Sequence, residues 1–129
     1  MNILDENVLG SQRQLLREWR VPFRQIGYEV GRKGMDDEQI IPFLLTLPRP
    51  TFFTQDWDYY KQGLCHARYC LVVVDVKRTE CAAFIRRVLR HPEFDTQAKR
   101  MGNVIRASHR RLAVWRLHAE KEVYFDWTD

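Results

Sequence analysis

The run "LVVVDV" at 71–76 constrains the fold more than any other stretch of this chain. Its apolar residues are continuous rather than alternating, so both faces of the strand they form must be covered. That pattern belongs at the centre of a parallel sheet with helices packed on both sides. Weaker strand signals come before it at "NILD" (2–5), "VPFRQIG" (21–27, closed by Gly27) and "PTFF" (50–53).

Segments with helical spacing separate these runs. Ser11 is placed to cap a helix over 11–20, with Leu15, Leu16 and Trp19 inward and Arg13, Arg17 and Arg20 outward. Asp36 or Asp37 opens a second helix, with Glu38 in its first turn and Ile40, Ile41, Leu44 and Leu45 facing a core. Pro42 predicts a kink there or a later start. Thr79 is placed to cap a third helix carrying Cys81, Phe84, Ile85, Val88 and Leu89, ended near His91-Pro92. Residues 95–110 repeat helical spacing, with Met101, Val104, Ile105 and Ser108 inside and Lys99, Arg100, Arg106 and Arg110 pointing elsewhere. "LAVWRL" (112–117) and "EVYFDW" (122–127) are late strands, turning near His118–Lys121. Alternating strands and helices predict an α/β domain with a mainly parallel sheet. The length of 129 residues suits a single domain over 1–129.

Composition narrows the function classes. Hydrophobic content of 45% and charged content of 29% are those of an ordinary globular domain. No stretch approaches the roughly 18 apolar residues of a membrane span, and "MNILDENVLG" lacks a secretory pattern, so a cytoplasmic location and no membrane partner are expected. Cys65, Cys70 and Cys81 form no CxxC pair. Reduced, mostly buried thiols are expected in preference to a metal site at Cys65-His66 and Cys70. The net charge of +4 is unevenly spread, with 9 basic and 2 acidic side chains over 81–119. That block fits a polyanion partner, an acidic protein segment, or arginines solvated on amphipathic helices.

In open parallel sheets, sites lie beyond the carboxyl ends of the strands. Asp5 and Glu6 follow the first strand, Asp36, Asp37 and Glu38 follow the second, and Asp56 and Asp58 follow the third. Neighbouring strands lie about 4.8 Å apart, so acids at their ends repel one another unless protonated or bridged. Oxygen ligands without thiolate or histidine suit Mg2+ or Mn2+. Other roles compete. Asp36 and Asp37 are both placed to cap a helix, Glu38 suits the helix dipole, and Asp58 suits a supporting or surface position. Asp75, inside the central run, is a further candidate.

"LDEN" (4–7), "GMDDEQI" (34–40) and "TQDWDYY" (54–60) resemble, in order and spacing, the motifs of short PIN-like proteins. These are predicted nucleases, often the toxin components of toxin–antitoxin pairs. Gln55 stands where that family often has a basic residue, Tyr59 where it commonly has Phe, and residues 91–127 are longer and more basic than in its shortest members. The resemblance implies a PIN-like three-layer α/β/α sandwich and Mg2+- or Mn2+-dependent cleavage of RNA. It carries over Asp5, Asp37, Asp56 and Asp58 as the metal-binding acids, with Thr54 and Asn7 as supporting polar groups.

On that reading Asp5 and Asp56 hold one cation, joined by Asp58, and Asp37 helps to hold that ion or a second roughly 3.5–4 Å away. Thr54 would donate its hydroxyl to a water or a phosphate oxygen, while Glu6 and Asn7 orient the ligands. Arg100, Arg106 and Arg110 are candidates for RNA backbone contacts, and Trp57 and Tyr59 either stack unpaired bases or pack as core or rim. The expected partners are an RNA substrate, a cognate antitoxin and a second copy of the chain. Two rivals remain open: a catalytically silent PIN-like module that binds nucleic acid or an antitoxin, and a receiver-like phosphoacceptor domain.

Overall fold

The run that must be covered on both faces forms β4 (Cys70–Asp75), the middle strand of a seven-stranded sheet. The computed structural model describes residues 1–128. The remaining strands are β1 (Asn2–Leu4), β2 (Arg24–Gln25), β3 (Thr51–Thr54), β5 (Asn103–Ser108), β6 (Leu112–Arg116) and β7 (Val123–Phe125). Their order is β2-β1-β3-β4-β5-β6-β7. The first five strands are parallel, and β6 and β7 pair antiparallel.

The helices are α1 (Gly10–Glu18), α2 (Asp37–Leu44), α3 (Cys81–Arg90) and the single-turn α4 (Gln97–Arg100). Alternation along β4 divides the core. Val72 and Val74 face Leu16 of α1 and Phe84, Ile85 and Val88 of α3. Leu71 and Val73 face Ile40 and Leu44 of α2, together with Tyr59 and Tyr69. Each fully buried side chain of this size contributes about 1.5–3 kcal/mol.

The crossovers β1–α1–β2 and β4–α3–β5 run in opposite directions across the sheet with their helices on the same face, so they have opposite hands. Parallel crossovers are right-handed in about 98% of cases, and one of this pair departs from that rule.

Four local expectations are corrected. Residues 95–110 are not one helix. Thr96 accepts from the Lys99 N–H to cap α4, Gly102 (φ +89°) turns the chain, and Val104 and Ile105 then enter β5. α1 begins at Gly10 after Leu9, without a side-chain cap, so Ser11 does not cap it. Thr79 lies within a 3-10 turn, Arg78–Glu80, and does not cap α3. Strand character in 21–27 contracts to Arg24–Gln25.

α2 runs from Asp37 through Pro42, and Asp36 caps it reciprocally with Gln39. The late hairpin forms as β6 and β7. Among the described residues, no helix is long and apolar enough to cross a membrane.

The basic block over 81–119 is not one surface. Arg86 lies over the Trp19 ring, and Arg87 lies over Phe84 and Trp127, on the α1/α3 face. Arg106 and Arg110 stand towards the carboxyl edge of the sheet, and Arg100 sits at the opposite edge.

Candidate metal centre

β1 and β3 are neighbours, but the chain leaves β1 towards β2 and leaves β3 towards β4. In doubly wound sheets the crevice at such a reversal is where ligands bind. Asp5 directly follows β1, and its N–H continues the ladder to the Phe53 carbonyl at 2.9 Å. Thr54 ends β3, and Asp56 and Asp58 stand in the turn beyond it. Asp37 arrives from the first residue of α2.

The carboxylate oxygens of Asp37, Asp56 and Asp58 lie within 4.8 Å of one another. Each acid is placed by a specific contact. Asp56 Oδ1 accepts from the Asp58 N–H at 2.9 Å and caps the 3-10 turn Trp57–Tyr59. Asp37 Oδ1 accepts from the Tyr59 hydroxyl at 2.9 Å, and burial followed by that bond raises the Tyr59 phenol's pKa. The trio is made only of oxygen donors and is open to solvent, which fits a hard divalent cation.

Asp5 stands beside the trio rather than in it. Its Oδ2 accepts from the Thr54 hydroxyl at 2.6 Å. Desolvation raises its pKa, the charge of Asp56 adds to the rise, and bonds from Thr54 and from the backbone of Glu6 and Asn7 oppose it. Thr54 Oγ1 also accepts from the Asp56 N–H at 3.1 Å, so one buried hydroxyl links Asp5 to the trio. Its proton is directed to Asp5, which corrects the expectation that it serves a water or phosphate.

The predicted supporting residues are placed differently from one another. Glu6 accepts from the Gly34 N–H at 2.8 Å, tying β1 to the loop that delivers Asp37. Gly27 (φ +85°) belongs to that loop, and a Cβ there would lie 3.3 Å from the Glu6 carboxylate. Asn7 supports Asp5 through its backbone. Asp36 is the helix cap and Glu38 is exposed in the first turn.

The two aromatics of the motif diverge. Trp57 is half exposed, with its Nε1–H donating to Asp75 at 3.3 Å. Tyr59 is buried edge-on against Phe52, so of its two expected roles it takes core packing and not base stacking.

Arg106 pairs with Asp75 at 3.5 Å, and its guanidinium lies 4.8 Å from the Trp57 ring centroid. Arg110 is exposed in the turn after β5. Arg100 is a correction. It is buried, donates to the Thr51 hydroxyl and the Phe94 carbonyl, and stands at the amino edge of β3, away from the acids.

The three cysteines are free thiols, and burial pushes Cys81 up to about 12. Cys65 Sγ donates to the Trp115 carbonyl at 3.4 Å, and His66 Nδ1 accepts from the Arg68 N–H at 3.0 Å.

Two organising residues give no sequence signal of the partners they hold. Buried Gln25 donates to the carbonyls of Asp5 and Val8, holding the loop after β1. Gln55 donates to the carbonyls of Val74 and Val76, fastening the Asp56 turn to β4. Isolated glutamines look alike in sequence, and only the register assigns them partners. No protein-family model, curated protein or solved structure matches this chain.

Proposed function

We propose that this chain is a PIN-like, magnesium- or manganese-dependent ribonuclease, acting as the toxin of a toxin–antitoxin pair. The observation that carries the reading is the approach of Asp37, Asp56 and Asp58 to within 4.8 Å at the strand reversal, beside a partly desolvated Asp5. Three carboxylate oxygens brought this close offer the all-oxygen ligand set that a hard divalent cation takes. When bound, such an ion lowers the pKa of a coordinated water and polarises a phosphoryl oxygen.

The protein's residues divide the remaining work. Asp37, held by Tyr59, and Asp56 and Asp58, held by the turn, are the ligands. Asp5 and Thr54 hold the β1 and β3 ends in register. Trp57 offers an aromatic face to an unpaired base, with Arg106 beside it.

Purified protein is expected to cleave single-stranded RNA with Mn2+ and not with chelator. Asp56→Asn should lower the rate more than about a hundredfold, since even outer-shell changes at metal sites cost about 10–100-fold. Undiminished cleavage by a folded Asp56→Asn protein overturns the assignment. RNA binding without cleavage by the natural chain would instead support a silent binding module.

One observation favours the receiver-like alternative: the order β2-β1-β3-β4-β5 is that of flavodoxin- and receiver-type sheets. The end of β5, however, is Ser108-His109 and supplies no lysine. Intact mass after acetyl-phosphate treatment distinguishes the two, and the ribonuclease reading expects no added phosphoryl group.

A further inference from the structure

We propose that the hollow on the α1/α3 side of the acidic edge is a phosphate subsite, in which Arg78 binds an RNA backbone phosphate next to the one held at the acids. The inference rests on the ribonuclease reading and adds to it the residue that aligns the strand.

The hollow measures about 340 Å³ and is walled by Asp5, Asn7, Val8, Gln55 and Arg78. It opens directly off Asp5 and falls within the range of ligand sites. Arg78 opens the 3-10 turn that leads from β4 into α3. Its Nη2 donates to the Asn7 carbonyl at 3.1 Å, which fixes the guanidinium at the rim. That bond uses one of five N–H donors. Among the described residues, no carboxylate lies within the 4.0 Å of an ion pair with Arg78.

Arg106 makes the contrast, because Asp75 already neutralises it. Arg78 is thus an exposed cation without an ion-pair partner among the described residues, held by the Asn7 carbonyl against the wall that carries Asp5. A guanidinium with spare donors is matched to phosphate oxygens. On the α2 side a second hollow, about 520 Å³, is lined by Asp37, Asp58 and Lys61, among others. There the lysine faces three acids, Asp37, Glu38 and Asp58, whereas in the hollow beside Asp5 the arginine meets one, so the phosphate subsite lies on the α1/α3 side.

The test combines Mn2+-dependent cleavage with anisotropy of a labelled single-stranded oligoribonucleotide in Ca2+, for the natural protein, Arg78→Ala, Arg78→Lys and Arg78→Glu over a range of salt. Arg78→Ala should raise KM about tenfold, the scale of a lost charge-assisted bond, and change kcat less. The slope of log affinity against log salt should become shallower by about 0.7, the value for one phosphate on a single strand. Arg78→Lys should restore the slope, and Arg78→Glu should weaken binding further. A merely structural role would not move the slope. If Arg78→Ala melts early, the Lys and Glu variants decide.

Natural protein that cleaves or binds RNA, alongside Arg78 variants that match it in KM and slope, overturns the subsite alone. Natural protein that neither binds nor cleaves RNA overturns the ribonuclease reading and the subsite with it.

Discussion

At the scale of single residues, Asp5 sets burial against charge. Desolvation raises its carboxyl pKa above the ordinary aspartate value of 3.8. Between 3.8 and the raised folded value, the unfolded chain binds fewer protons than the folded one, so stability falls as pH rises through that window. Below 3.8 the penalty is absent, and above the folded pKa it is fully present. In chelator, Asp5→Asn should therefore lose that part of the pH dependence and melt no lower than the natural protein at neutral pH. Melting curves from acid to neutral pH check this, and identical pH profiles would refute it.

The place of Asp5 and Asp56 at strand ends was legible, since Asp5 closes the first apolar run and Asp56 stands two residues beyond β3, but the standing of Asp5 beside the trio was not. The different fates of Trp57 and Tyr59 were not legible, because two aromatics in one 3-10 turn differ only in which the fold turns inward. Thr54 was legible as polar support, but not as a donor already engaged with Asp5.

At the scale of elements, adjacent Asp36 and Asp37 have separate tasks. Asp36 closes the reciprocal cap with Gln39 while Asp37 belongs to the acidic trio. Asp36→Ala should cost about 1 kcal/mol. Urea unfolding would measure it, and Asp36→Ser should recover most of the loss.

The sequence exposes this cap because its partners are three residues apart. It conceals β5 because Met101, Val104, Ile105 and Ser108 fit a helical repeat as well as they fit a strand. The signal that decides between them is Gly102, whose positive φ lets the chain leave α4, followed by two β-branched residues. Arg100 was misplaced for the same reason. In a long helix it would point outward, whereas in α4 it tucks beneath β3.

At the scale of the whole molecule, a cation bound only by the folded chain adds stability by mass action, about 2.7 kcal/mol at 100 times Kd. Mn2+ should raise the melting temperature of the natural protein and have much less effect on Asp56→Asn. Equal shifts in both would place the ion elsewhere. "LVVVDV" announced a central strand covered on both sides, but the strand order and the hands of the crossovers depend on partners far apart in sequence, where local pattern carries no information.

The segment between β3 and β4, which has only 3-10 turns and no α-helix, carries two acids of the trio, and through Tyr59, Leu64 and Tyr69 it also roofs Leu71 and Val73. On the proposed metal-dependent reading, one strap of chain serves both the ion and the core. Stripping the ion from its outer side would then slacken the cover over hydrocarbon beneath, and a substitution made to improve the cover would also retune the grip on the ion.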